Sequence, residues 1–255
     1  MRAGFFAMFD ALGFKGIWDR AARADPPWNV LDKLEKLVAA AADVQGAIED
    51  AHATLVQKGE LRRTEVKTLL LSDTIVVAAT DESPDGLANS ASSWASMLSV
   101  GSLVSGILSH AANAPEPRLA YRGCISYGKF EIRSNFVMGP AVDEAATLVD
   151  SAQAALVWLT PSAKRVMDGI RLRQPCNLVR PWRVPLKGGH HYETYVISPY
   201  VGVAEDSWSS LREALLETFS SNAIDVRIKA QHTDEFLQHE LRRRQNARAE
   251  MEVPT

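Results

Sequence analysis

Residues 4–9, GFFAMF, hold three phenylalanines and a methionine with no polar residue among them. A strand with one wet face alternates apolar and polar side chains, so six unbroken positions read as a buried strand. Asp10 ends the run, and Leu12-Gly13-Phe14 then leads into Gly16-Ile17. The acid that closes this strand is either a simple turn residue or a chemical group with something to hold.

A second acid stands in a similar place. KTLLLSDTIVVAA, residues 67–79, is two apolar runs joined at Ser72-Asp73, the pattern of a strand, a tight turn and a second strand. If this hairpin lies beside the first strand, both carboxylates emerge from one end of the sheet. Neighbouring carboxylates repel each other unless a cation lies between them, and a pair of Mg²⁺ or Mn²⁺ ions would polarise a phosphate and lower the pKa of an attacking hydroxyl. Two unrelated turn acids is the alternative. The turn after Asp10 offers backbone N–H groups that could hold phosphate oxygens. The absence of GxxxxGK[ST] excludes a P-loop enzyme.

Between and beyond these points the pattern alternates. Leu31, Leu34, Leu37, Val38 and Ala41 recur at helical spacing after Pro26-Pro27, and a serine-rich helix follows the DESPDG loop. RLAYRGCISYGKFEI, 118–132, returns to strand character, and GPAVDEAATLVDSAQ, 139–153, opens a helix behind Gly-Pro. A short strand at 156–159, a helix at 161–167 and a strand pair in RPWRVPLKGGHHYETYVISP complete the order. That order predicts an α+β fold, a sheet with helices on one face. From Glu205 the chain becomes polar helix with two stripes, Leu211-Leu215-Phe219 and Phe236-Leu237-Leu241. Residues 1–204 are therefore read as the catalytic domain and 205–255 as a C-terminal helical extension that packs or dimerises.

Composition excludes several classes. With 28 basic and 31 acidic residues and a net charge of −3, the chain has no broad positive field for nucleic acid or anionic lipid. The stretch from 86 to 115 has no charged residue but contains eight serines, so it reads as a core helix rather than a membrane span. Asp10 stops the N-terminal apolar run short of a signal-peptide core, and the chain is expected to be cytoplasmic. Cys124 and Cys176 are too few for a disulfide framework and lack zinc-site spacing.

Five segments, in order across residues 5–197, resemble the motifs of class III nucleotidyl cyclases. FDALGF is similar to the strand-end Asp and phosphate loop, LLLSDTIVV to the hairpin Asp, YRGCISYG to the RxGIxxG strand, MGPAVDEAATL to the G-x-x-V-N-x-A-x-R helix, and VPLKGGHHYETYVI to the hairpin bearing the triphosphate lysine. The resemblance implies a ferredoxin-like βαββαβ core and a head-to-tail homodimer with composite sites. It implies that Asp10, Asp73 and the carbonyl of Ala11 hold two divalent cations, Mn²⁺ or Mg²⁺. It also implies that Leu12, Gly13, Phe14 and Lys187 contact the triphosphate of an NTP whose 3′-hydroxyl attacks its own α-phosphorus.

The departures narrow the expectation. The family's transition-state Asn and Arg fall at Asp143 and Thr147, so another cation is needed, Arg122 first and Arg133 second. The purine-reading positions carry Leu69 and Phe136, which offer adenine or guanine no polar edge. With FDxLGF, SDT and RGxISYG, the chain resembles the pyrimidine cyclases of Pycsar anti-phage defence. That subgroup implies cyclic UMP ahead of cyclic CMP as product, sensed by a separate cyclic-nucleotide-gated effector. Asp43, Gln45 and Tyr127 are unranked candidates for reading the base. The alternatives are a weak or inactive cyclase-like signalling module and a purine cyclase with relocated base contacts.

Three further features read as structural. His190-His191 cannot readily chelate one ion from a strand, Trp158, Trp182 and Trp208 read as core aromatics, and Arg242-Arg243-Arg244 as a solvated helix end.

Overall fold

A computed structural model describes all residues except 13, 15–16, 24–26, 28, 58–64, 81–89, 114–117, 134–135, 171–176, 220 and 252–255. The strands are β1 (Arg2–Ala11), β2 (Glu65–Leu71), β3 (Thr74–Thr80), β4 (Tyr121–Arg133), β5 (Phe136–Met138), β6 (Val157–Leu159), β7 (Val179–Pro185) and β8 (His191–Ile197). The helices are α1 (Ile17–Arg23), α2 (Val30–Gln57), α3 (Ser90–Asn113), α4 (Pro140–Leu148), α5 (Pro161–Gly169), α6 (Trp208–Glu217) and α7 (Ile224–Met251).

The strands form one sheet in the order β2-β3-β1-β4-β6-β8-β7, with β5 folded back on β4. Among the described residues only the β4–β6 pair is parallel; the other pairs run antiparallel. The first six major elements thus run β1-α2-β2-β3-α3-β4 with spatial order β2-β3-β1-β4, the ferredoxin-like arrangement expected from the sequence.

β1 is central because it has no polar face to expose. Phe5 and Phe6, on opposite sides of the strand, are both 0% exposed. Phe5, Ala7 and Phe9 enter a core with α2, α3 and α5, whereas Phe6 joins Ala141, Val142 and Ala145 of α4, Leu211 and Leu215 of α6, and Phe236 and Leu237 of α7. The α+β class is as expected, but the helices occupy both faces rather than one. The physical reason is β1 itself, since apolar side chains on both sides of a strand need a layer on each.

The serine-rich α3 is buried under the sheet, which explains its composition. Residues Ser92–Asn113 are long and apolar enough to cross a membrane by composition, yet most of the stretch is buried inside the fold. Its serines are bonded internally: Ser99 Oγ donates to Ala95 O at 2.9 Å and Ser105 Oγ to Ser198 O at 2.6 Å.

Candidate functional site

The last rungs of β1 build the site. In the ladder Asp10 stands opposite Thr74 on β3 and Arg122 on β4. The β2–β3 turn is only Ser72-Asp73, with Ser72 at φ 62°, and its tip continues the ladder because Ala11 N donates to Asp73 O at 3.2 Å. Both acids therefore leave the same end of the sheet. Gly123, next to Arg122, permits the close approach of β4, since a Cβ there would stand 2.2 Å from Met8 O.

The electrostatics of Asp10 follow from its position. Burial pushes its carboxyl above the ordinary 3.8, the Arg122 guanidinium pulls it down, and Asp73 raises it again. Arg122 Nη2 lies 3.5 Å from Asp10 Oδ2, with the two side chains 10% and 25% exposed. The other oxygen, Asp10 Oδ1, is buried without a hydrogen-bond partner, as are Arg122 Nε and Tyr121 OH. Burial first and then Asp73 also push the Tyr121 hydroxyl up. A buried carboxylate oxygen with no donor, beside a second carboxylate, fits a hard divalent cation. Among the described residues no group of three or more His, Cys, Asp or Glu side chains could hold a metal.

Lys187 stands in the β7–β8 turn, Lys187-Gly188-Gly189, in which both glycines have φ 77°. Its ammonium pairs with Asp150, one residue past the C-cap of α4. The Lys187 hydrogen bond holds the Asp150 carboxyl below its ordinary value, and the charges of Lys187 and Arg122 add to this. Segment 150–153 acts as a strap beneath both groups. Lys187 N donates to Ser151 O at 2.8 Å, Arg122 Nη1 to Ala152 O at 3.3 Å, and Gln153 N to Pro185 O at 2.8 Å.

Asp10, Asp73 and Arg122 thus share one end of the sheet, and Lys187 is tied to Arg122 through the strap. Two amides near Asp10 are used: Leu12 N donates to Ala120 O at 2.8 Å and Ile17 N to Phe14 O at 2.9 Å. Gly13 lies outside the described residues.

Other expected residues lie elsewhere in the chain. β4 runs from Arg122 beside Asp10 to Phe130 beside Arg2, so Arg133 and Phe136 sit at the opposite end of the strands. Phe136 is 75% exposed, and Arg133 pairs with Glu131 at 2.5 Å. A hollow of about 380 Å³ at that end is lined by Arg2, Lys67, Thr80, Phe130 and Arg133, among others. Leu69, paired with Val76, is half-buried against the second core. Asp143 is exposed in the first turn of α4, and Thr147 Oγ1 donates to its carbonyl at 2.8 Å.

Of the base-reading candidates, Gln45 Nε2 donates to Val66 O at 3.2 Å and its Oε1 accepts from Thr68 Oγ1 at 3.2 Å. Tyr127 packs edge-on against Phe5 and Asp43 is exposed. His190 and His191 are exposed. Trp158 is buried and Trp182 meets Phe236 edge-to-face, as core aromatics do. The arginine run departs from its expectation. Arg243 and Arg244 pair with the buried Glu240, and Arg244 lies over the rings of Tyr200 and Trp208. Helical spacing carries them inward, where a buried acid on the same helix and an aromatic floor receive them.

Sequence reasoning missed Asp150 and the strap. Asp150 reads locally as an ordinary helix-end acid, and its partner is 37 residues away.

No family model matches the chain, and no curated protein sequence matches it. Solved structures share part of its course. The guanylyl cyclase domain of the RhoGC fusion protein from the aquatic fungus Blastocladiella emersonii is 13% identical, with a TM-score of 0.41 over 77% of this chain and 98% of that one. An adenylate cyclase from Trypanosoma brucei is 11% identical, with a TM-score of 0.42 over 78% and 90%. The adenylate/guanylate cyclase/hydrolase from Silicibacter pomeroyi is 13% identical, with a TM-score of 0.36 over 78% and 99%.

Proposed function

We propose that the chain is a nucleotidyl cyclase. Its substrate is a pyrimidine nucleoside triphosphate, UTP ahead of CTP, and its products are the 3′,5′-cyclic monophosphate and pyrophosphate. The observation that carries this reading is the convergence of Asp10 and Asp73, joined by the Ala11-to-Asp73 hydrogen bond, with Asp10 Oδ1 buried and unpartnered.

Asp10, Asp73 and the Ala11 carbonyl would hold two divalent cations, Mn²⁺ or Mg²⁺, which supply Lewis acidity at the α-phosphate and lower the pKa of the 3′-hydroxyl. Lys187, leaving Asp150, binds the β- and γ-phosphates. The bond from O3′ to the α-phosphorus forms as the bond to the bridging oxygen of pyrophosphate breaks, and the hydroxyl proton passes to solvent. Arg122 neutralises charge next to Asp10 and is the cation best placed to offset what develops at the phosphate. The protein's share is positioning and charge neutralisation.

Phe136 and Asp143 lie away from Asp10 within one chain, which supports a homodimer whose second copy completes each site. Leu69 and Phe136 offer a purine no hydrogen-bonding edge, which supports a pyrimidine. The biological role that follows is a cytoplasmic synthase of a cyclic-nucleotide messenger in anti-phage defence, read by a separate gated effector.

The test is incubation with each of the four NTPs and Mn²⁺ or Mg²⁺. Cyclic UMP or cyclic CMP from the wild type, lost in Asp73→Asn, supports the reading. Cyclic AMP or cyclic GMP would mean relocated base contacts. A second reading, a non-catalytic nucleotide-binding module, is favoured by one observation: the α4 turn that carries Asp143 and Thr147 presents no cation. Tight NTP binding without turnover would select it.

A further inference from the structure

Three consecutive carbonyls of the strap face three different parts of the molecule. Ser151 O accepts from the amide of Lys187, Ala152 O from Arg122 Nη1, and Gln153 O lies 3.0 Å from Nδ1 of His232 on α7. Two residues on, Ala155 N donates to Thr233 Oγ1 at 2.8 Å. Thr233 is fully buried, and its hydroxyl donates in turn to Lys229 O at 2.7 Å. Both functions of that hydroxyl are therefore used, one on its own helix and one on the strap.

Helix α7 is fixed independently of these contacts. Phe236 and Leu237 are buried in the sheet's second core, and Glu240 pairs with Arg180 of β7 at 3.3 Å. A helix anchored at 236–240 and bonded to the strap at 232–233 transfers its position directly to 153–155. The strap passes that position to the lysine turn through residue 151 and to Arg122, hence Asp10, through residue 152.

We infer that Thr233 and His232 are positioning residues: through the strap they set the separation between the Asp10–Arg122 pair and the Lys187 turn. The inference rests on the cyclase reading for its catalytic consequence, and on the geometry alone for the mechanical coupling. On this account the C-terminal helix acts on the site without touching substrate. The alternative is a purely structural anchor, whose loss would loosen the whole second core evenly.

The test uses the full chain with Thr233→Val, which keeps the shape and removes the acceptor of the Ala155 amide, Thr233→Ser, which keeps the hydroxyl, and His232→Ala. Hydrogen exchange is read at the Gln153 and Lys187 amides and, as a reference, in β1 and β3. In Thr233→Val, exchange at Gln153 and Lys187 rises about tenfold, the size of one lost buried hydrogen bond, while β1 and β3 stay protected. His232→Ala gives the same pattern more weakly, and Thr233→Ser restores wild-type exchange. With the best NTP, Thr233→Val lowers kcat about tenfold while the melting temperature falls by only a few degrees, as one lost hydrogen bond costs, and Thr233→Ser recovers it. Uniform loss of protection, or no change at Gln153 and Lys187, overturns the inference. A wild type with no product but the local exchange pattern intact sinks the cyclase reading and leaves the coupling standing.

Discussion

Asp10 and Arg122 face each other across the β1–β4 ladder, 112 residues apart in sequence, with Nη2 3.5 Å from Oδ2. The pair leaves Asp10 Oδ1 without a partner in a half-buried place beside Asp73. That combination of one satisfied and one unsatisfied oxygen is the basis for the first two predictions.

Divalent cations will stabilise the protein through these acids. A ligand that binds only the folded state adds RT ln(1 + [L]/Kd), about 1.4 kcal/mol at tenfold excess over Kd. Thermal unfolding with and without Mn²⁺ should show the gain in the wild type and lose it in Asp10→Asn and Asp73→Asn. Protons compete with the cation at Asp10, whose carboxyl is raised above 3.8, so the gain disappears as pH falls through that raised value, earlier than an ordinary Asp would allow. An equal Mn²⁺ effect in Asp10→Asn would remove the acid pair from consideration.

Replacing Arg122 by Met removes the influence that lowers the Asp10 carboxyl, so its pKa moves further up. The sign for stability follows: a folded-state acid that holds its proton more tightly than the unfolded chain favours the fold at low pH and costs stability as pH rises through the window above 3.8. Arg122→Met widens that window. Carbon-detected NMR titration of Asp10 measures the shift, and an unchanged titration would show that the ion pair is not formed in solution.

Lys187 and Asp150 should separate binding from stability. Both side chains are about half exposed, so the ion pair adds little to the fold. Asp150→Asn should leave the melting temperature nearly unchanged and lower KM for the NTP, because Lys187 no longer has a competing acid. Lys187→Ala should raise KM about tenfold or more. A KM that rises in Asp150→Asn would mean that the acid orients the lysine instead of competing for it.

Glu240 is the opposite case. It is fully buried and faces Arg180 at 3.3 Å, Arg243 at 3.3 Å and Arg244 at 3.8 Å. Glu240→Ala strands buried guanidinium groups and should cost about 3–5 kcal/mol, a drop of about 10 °C in a chain of this size. Arg242→Ala, on the exposed side, should change stability by under about 0.5 kcal/mol. Equal, small effects in calorimetry would contradict the buried cluster.

Local elements were legible in the sequence because each carries its own signal. The unbroken run 4–9 read as a buried strand, Ser72-Asp73 between apolar runs read as a tight turn, and the uncharged serine-rich stretch emerged as α3. The two acids were legible for the same reason, since each terminates a strand. The partner of Leu12 N was not: it is Ala120 O, and no local pattern records a partner more than a hundred residues away.

Alone, the amino-acid order determined the succession of strands and helices, the α+β class and the two strand-end carboxylates, because periodicity and turn chemistry act over a few neighbouring residues; the ferredoxin-like core came with the motif resemblance. Tertiary structure decided the rest: Arg122 beside Asp10, Asp150 on Lys187, the strap that joins them to α7, the inward turn of Arg244 and the second helical layer. Each of these depends on the register between segments distant in the chain, and register is set only when the two cores on either side of β1 close together.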